Sequence, residues 1–218
     1  MNRDSNVVFE GSIPENYDRY LGPVFFEPSA RDLIGRLSGK QLHSVLELAC
    51  GTGILTRMLR DSLLPSTNIV ATDLNPGMIA FAKNKFRSEE NVEWKEADAS
   101  ALPFPDKSFD AVICQYGLMF VPEKDAAMRE AYRVLKPGAA FLFNVWDAID
   151  RNPAARTAHE TISSFFESDP PTFYELPFNM HDVGLVRELL QKAGFKSIDS
   201  RHEWWMIRYD ALRTRGAS

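Results

Sequence analysis

Apolar residues follow two rhythms along this chain, and the alternation between them predicts its layout. Short, nearly unbroken apolar runs at 45–48, 68–73, 91–97, 109–114 and 139–146 read as strands buried on both faces. Between them apolar positions recur every third or fourth residue, as in a helix that buries one face. Ile54, Leu55, Met58, Leu59 and Leu63 form one stripe; Met78, Ile79, Ala82 and Phe86 form the next, with Asn75 as its cap and Pro76 in its first turn. Ala127, Met128, Ala131, Tyr132 and Leu135 make a third, stopped by Lys136-Pro137-Gly138. Leu185, Val186, Leu189, Leu190 and Ala193 make a fourth between a cap at Asp182 and a stop at Gly194. Two helical stripes precede the first strand: Tyr17, Tyr20, Leu21 and Val24 after Pro14, then Ala30, Leu33, Ile34 and Leu37 after Pro28. Strands alternating with helices predict an α/β fold with a doubly wound, mostly parallel sheet of six to seven strands flanked by helices.

The sharpest local signal is the stretch Val45-Leu-Glu-Leu-Ala-Cys-Gly-Thr-Gly53, a strand that runs into two glycines and then a helix. Such a turn opens at the carboxyl edge of a parallel sheet, where glycines let the backbone approach a nucleotide-like ligand and the helix N-terminus adds its dipole. A dinucleotide site would carry a third glycine at position 56, which is Thr56. Glu47, just ahead of the turn, would repel a pyrophosphate and favours an amino group or a sulfonium. At the end of the next strand Asp73 is spaced to accept both hydroxyls of a ribose, each such bond contributing about 1.5–3 kcal/mol; the alternative is an exposed turn residue.

Glu47-Leu-Ala-Cys-Gly-Thr-Gly53 resembles the first motif of the class I S-adenosylmethionine-dependent methyltransferases, whose usual form has glycine where Ala49 stands. The resemblance continues in order through Tyr17-Asp18-Arg19-Tyr20, Asp73, Asp98-Ala99 and Arg129-Glu-Ala-Tyr-Arg-Val-Leu-Lys-Pro-Gly138, and is nearest to the small-molecule type of ubiquinone and menaquinone biosynthesis. It implies a Rossmann-like sheet, S-adenosyl-L-methionine as cofactor and in-line methyl transfer. It also implies that Tyr17 and Tyr20 cover the cofactor, where a ring beside a sulfonium contributes roughly 0.5–2 kcal/mol; otherwise the tyrosines are core. Asp98 and Ala99 are implied at the adenine and Gln115 at the methionine part, and Ala49, Gly51, Gly53, Leu74 and Met78 complete the cofactor-binding candidates. No catalytic base is assigned. His159 and His181 are the histidines to test, and no histidine shows zinc-ligand spacing with the cysteines.

Residues 147–181 read as a lid-like insertion, with an amphipathic stripe at Ala158, Ile162, Phe165 and Phe166 and a loop containing Phe173, Tyr174 and Phe178. Those rings either wall a pocket for an apolar or aromatic acceptor or seal a flank of the core. Residues 195–207 read as a sixth strand. The family's seventh, antiparallel strand lies between the fifth and sixth, so either 203–209 turns back into that slot or the sheet is short there, with an exposed edge that invites a homodimer. A shortened sheet would favour a cofactor-binding protein without turnover.

At 218 residues, 44% hydrophobic and 25% charged, the chain fits a single soluble methyltransferase domain: a helical cap over 1–40, a cofactor core over 41–146, the insertion, and a last helix and strand over 182–218. A net charge of −5 without basic clusters argues against nucleic acid as partner, leaving a small-molecule acceptor. No apolar run reaches the roughly 18 residues of a membrane span, and the start lacks a signal-peptide core, so a cytoplasmic protein is expected. Cys50 and Cys114 fit buried free thiols there, with a disulfide as the alternative. A nicotinamide-dependent oxidoreductase is the remaining reading, opposed by Thr56 and Glu47.

Overall fold

The computed structural model describes residues 13–171, 175–203 and 205–214; Phe173, Tyr174 and Trp204 lie outside them. A short helix α1 (Ile13–Asn16) continues into a π-helical segment, Tyr17–Phe26, and then α2 (Glu27–Gly35). After these come β1 (Ser44–Leu48), α3 (Ile54–Ser62), β2 (Asn68–Asp73), α4 (Pro76–Lys83), β3 (Val92–Glu96), β4 (Phe109–Gln115), α5 (Lys124–Val134) and β5 (Leu135–Trp146). The insertion holds α6 (Pro153–Ser163), and the chain finishes with α7 (Val183–Ala193), β6 (Ser197–Glu203) and β7 (Met206–Leu212).

The strands form one sheet in the order β3-β2-β1-β4-β5-β7-β6. β1 to β5 pair in parallel, while β7 is antiparallel to both β5 and β6. Successive side chains of one strand enter opposite cores, which is why the central strands are apolar at nearly every position. Leu46, Leu48, Val112, Phe141 and Phe143 pack with Met128 of α5 and Leu190 of α7. Val45, Ile113 and Leu142 pack with Leu33 of α2 and with Leu55 and Leu59 of α3. The caps form as the sequence implies: Asn75 Oδ1 accepts the Gly77 and Met78 N–H groups at 2.8 and 3.3 Å, and Asp182 Oδ1 accepts Leu185 N–H at 3.1 Å. Leu185 itself is exposed.

The expected single strand over 195–207 is instead a hairpin, and its return arm fills the slot between β5 and β6. Both faces of β7 specify that register. Ile207, Tyr209 and Ala211 enter the core, with Tyr209 stacked on Phe143 at 4.7 Å. On the other face Arg208 donates to Asp32 of α2 at 2.6 Å, and Arg36 pairs with Asp210. With the slot filled, the expected exposed edge is absent, and with it the reason to expect a homodimer. The remaining edges carry Glu93, Lys95 and Glu96 on β3 and Asp199 and Arg201 on β6, charges that discourage further strand pairing.

At the start of β5, Leu135 already pairs with Phe109 ahead of Lys136-Pro137-Gly138, and an irregularity follows before the regular register resumes at Ala111 and Ala140. In the insertion, the expected apolar stripe faces outward: Ile162 and Phe166 are exposed and Phe165 is 80% exposed. Phe178 is buried, with its ring 6.1 Å from that of Trp146, so it seals the core. Arg213 closes the fold by donating to the carbonyls of Tyr132, Arg133 and Leu135 at 2.6, 2.9 and 2.6 Å while lying over the Tyr132 ring. Arg213→Met removes the donor that these three carbonyls share, and a loss of about 2 kcal/mol is expected in urea unfolding.

Candidate functional site

The five parallel strands end on one edge of the sheet, and the loops leaving β1, β2, β3 and β4 enclose a cavity of about 330 Å³ beneath the π-helical segment. Its floor is the glycine turn. Ala49, Gly51 and Gly53 all take left-handed backbone conformations, with φ of 52°, 54° and 79°. Glycine at position 49 avoids the strain that Ala49 accepts, which gives the family preference a physical cause. The methyl group of Ala49 then constrains its neighbour: a Cβ on Gly117 would overlap Ala49 Cβ and lie 2.9 Å from Cys114 Sγ.

Asp73 is fastened to that turn. Gly51 N–H donates to its Oδ2 at 2.8 Å and Asn75 N–H to its Oδ1 at 2.9 Å, so the carboxylate is oriented before any ligand arrives. Glu47 is different: it is 1% exposed and its Oε2 has no hydrogen-bond partner. Burial pushes the Glu47 carboxyl up to about 8; the Thr56 hydroxyl opposes that rise and the Asp73 charge adds to it. Burial also raises Asp73, against the pull of the N–H groups of Asn75, Gly51 and Leu74. Asp98 is held at the rim by Ser100, whose N–H and Oγ–H both donate to its Oδ1, at 2.8 and 2.7 Å. Among the described residues, three carboxylates line the cavity and no lysine, arginine or histidine does.

Of the residues expected here, Tyr17, Glu47, Ala49, Gly51, Asp73, Leu74, Met78, Asp98, Ala99 and Gln115 line the cavity. Tyr20 does not. It is 60% exposed with the Arg19 guanidinium over its ring, because the wider i→i+5 turn of a π-helix rotates it away from Tyr17. Gly53 lies behind the wall; a Cβ there would approach Ala82 Cβ at 2.9 Å, so its work is to let α3 pack close to α4. Gln115 donates from Nε2 to the Phe26 carbonyl at 3.0 Å, leaving its buried Oε1 without a partner. The histidines stay outside: His159 and His181 do not line the cavity, and His202 pairs with Asp147 at 2.8 Å on the far side of the hairpin. Both cysteines are free and buried, and among the described residues no cluster of His, Cys, Asp and Glu could hold a metal ion.

Of the loop 115–120, which the family resemblance places around the methionine part, the sequence singles out only Gln115; Tyr116, Gly117 and Phe120 line the cavity as well, together with Phe26 of the cap. Tyr116 carries a left-handed φ of 50° and anchors a directional relay. Trp205 Nε1–H donates to its hydroxyl at 3.0 Å, the Tyr116 hydroxyl donates to Ser29 Oγ at 2.8 Å, and Ser29 donates to the Phe25 carbonyl at 2.8 Å. An indole can only donate and a carbonyl can only accept, which sets the direction. The relay ties the cap, the loop after β4 and the hairpin to one wall, and the position of Tyr116 immediately after a strand at the carboxyl edge was its one sequence clue.

Comparison with known proteins agrees with this geometry. A family profile described as a methyltransferase domain matches residues 46–143. The ubiquinone/menaquinone biosynthesis C-methyltransferase UbiE of Escherichia coli is 34% identical over 170 residues, 72% of this chain and 68% of that protein. Among solved structures, a methyltransferase dependent on S-adenosylmethionine (SAM) from Aquifex aeolicus superposes with a TM-score of 0.70 at 20% identity, covering 95% of this chain and all of that one. A putative one from Methanococcus maripaludis gives 0.73 at 16%, covering 100% and 98%. The chain belongs to the class I S-adenosylmethionine-dependent methyltransferases and is an enzyme that transfers a methyl group from that cofactor. The cavity suits such a ligand: among the described residues its carboxylates have no counter-cation, and Glu47 Oε2 and Gln115 Oε1 have no donors.

Three outcomes are expected. Asp73→Ala removes the acceptor fastened to the glycine turn and weakens SAM binding at least about tenfold by calorimetry. Gly117→Ala lowers stability by about 1–3 kcal/mol through overpacking, and by less when Ala49→Gly is present, in a double-mutant cycle read by urea unfolding. The third concerns pH. The folded protein keeps the Glu47 proton up to about 8 while the unfolded chain loses it near 4.5, so stability of the ligand-free protein falls as pH rises through that window, with Asp73 adding in the same direction. Thermal melts from pH 5 to 8 show that decline, and Glu47→Gln flattens it.

Proposed function

We propose that this enzyme methylates a small, apolar, aromatic acceptor at a ring carbon, with Asp73 holding the ribose hydroxyls of the cofactor, Asp98 its adenine, and Glu47 its positive end. Three cavity carboxylates, with no side-chain cation among the described residues, carry the cofactor part of this reading. The bound cofactor supplies an activated methyl group, so the protein's contribution is alignment and exclusion of water, and alignment can account for roughly 7–11 kcal/mol in favourable cases. Tyr17 stacks on Phe26 at 4.6 Å, and Phe26 meets Tyr116 edge-on at 5.7 Å; together with Phe120 and Val121 they offer an apolar surface against which a ring can be buried. Gln115 and the Asp18–Lys85 ion pair hold the cap above it.

The same wall offers no acid–base group. Tyr17 and Tyr116 are pushed far up by burial, as is the Cys50 thiol, and no histidine is present. A neutral alcohol would need a base; an electron-rich ring carbon does not. The relatives named as C-methyltransferases of ubiquinone and menaquinone biosynthesis favour that class of acceptor. A filled seventh-strand slot removes the ground for a binding protein without turnover. A cytoplasmic setting fits the two free thiols.

The test is a panel of acceptors incubated with radiolabelled SAM: a hydroquinone with an open ring position, a catechol, an aliphatic amine and an aliphatic alcohol. Label is expected on carbon of the hydroquinone, and Tyr116→Ala and Phe26→Ala are expected to raise its KM. Transfer to the amine or alcohol alone would overturn the reading.

A further inference from the structure

We propose that Trp205 is a positioning residue for methyl transfer. Through the Tyr116 hydroxyl it fixes the orientation of the cavity's aromatic side, so the β6–β7 hairpin sets how fast a bound acceptor reacts rather than how tightly cofactor or acceptor binds. This rests on the reading of that side as the acceptor's. Trp205 lies between Glu203 and Met206, which face each other in register at the closed end of the hairpin. Its carbonyl accepts the Asp147 N–H at 3.0 Å, and Asp147 Oδ2 meets His202 Nδ1 at 2.8 Å, so the backbone beneath the indole is fastened to the end of β5. The indole ring meets Phe25 edge-on at 5.3 Å, and its Nε1–H reaches the Tyr116 hydroxyl at 3.0 Å. Phenylalanine could supply the apolar contact but not the donor.

Tyr116, which lines the cavity at 4% exposure, is held at both ends. At the backbone its N–H donates to the Asn144 carbonyl at 3.2 Å with φ at 50°; at the tip its hydroxyl sits between Trp205 and Ser29. Between them the ring stacks on Trp146 at 4.5 Å. Stacked rings tolerate sliding over one another, whereas two hydrogen bonds at the tip are directional and remove that freedom. Phe26 rests edge-on against Tyr116, and Tyr17 rests on Phe26, so the orientation of one ring is passed to the others. In-line transfer is sensitive to such placement, since a displacement of about 1 Å can cost about a hundredfold in rate. Loss of the indole donor leaves the apolar surface in place and loosens only its orientation. Rate should then fall where affinity does not, the opposite of Tyr116→Ala, which removes the surface itself.

The experiment is single-turnover transfer from radiolabelled S-adenosylmethionine by the full chain, with the hydroquinone of the panel as acceptor at varied concentration, alongside calorimetry of S-adenosylhomocysteine. Trp205→Phe and Ser29→Ala are each expected to slow the saturating rate about five- to tenfold, while the half-saturating acceptor concentration and the cofactor-product affinity stay within about twofold. In Tyr116→Phe, which opens the relay at its centre, adding Trp205→Phe slows the rate by less than about twofold more. An unchanged rate in Trp205→Phe, a loss that follows cofactor affinity, or effects of the pair that multiply overturns the proposal. Should Trp205→Phe misfold, Ser29→Ala and Tyr116→Phe decide by the same criteria. If the wild type labels a different acceptor of the panel, the ring-carbon reading falls, and the same rates measured with that acceptor still decide the role of Trp205. Fluorine NMR of protein carrying 5-fluorotryptophan reads the relay without any acceptor. The resonance missing from Trp205→Phe is expected to shift in Tyr116→Phe, and a resonance that stays in place overturns the proposal.

Discussion

A carboxylate removed from water requires a counter-charge or a proton, and at the carboxyl edge of this sheet the described residues supply Glu47 with neither a lysine nor an arginine. The side chain arises on β1, where Val45, Leu46 and Leu48 are buried apolar groups and Glu47 itself is 1% exposed. The remaining features of the site accommodate that charge deficit. The glycine turn bends the backbone away from the space in front of Glu47, Asp73 closes the adjacent strand with its own orientation fixed by two N–H groups, and the cavity stays open between them. In the proposed reading, the cationic cofactor supplies the missing counter-charge.

Keeping that space open constrains residues that never touch the charge. Ala49 accepts a left-handed backbone, and its methyl group then excludes any side chain at position 117. Tyr116, beside it, takes a second left-handed conformation and is held by Trp205 and Ser29. Such backbone strain persists only where surrounding contacts over-determine it. Here those contacts come from the cap, the loop after β4 and the β6–β7 hairpin, three segments far apart in the chain. The last strand therefore contributes to the site through Trp205 at its entrance, and through the Asp32–Arg208 and Arg36–Asp210 pairs that dock the cap helix onto it.

Much of this was legible in the residue order. Strand and helix rhythms, the caps at Asn75 and Asp182, and the glycine turn are local, each set by periodicity or by the backbone needs of a few consecutive residues. The site residues Glu47, Gly51, Asp73 and Asp98 were accessible for the same reason, since parallel strands bring their ends to one edge whatever their packing. Tyr20 was misjudged because α-helical spacing does not hold in a π-helix. Gly53 was misjudged because a glycine required by φ and by close helix packing looks the same in sequence as one that faces a ligand.

By itself, then, the sequence determined the alternating fold, the ligand edge and the sign of the charge waiting there, because these follow from short-range periodicity and from the kinds of side chain at strand ends. Only the tertiary structure decided that the final strand returns to fill the slot beside β5, that Phe26, Tyr116 and Phe120 line the same cavity, and that Glu47 has no counter-charge among the described residues. Those properties depend on which distant residues meet, and on which fail to meet, and neither is encoded in the spacing of neighbours along the chain.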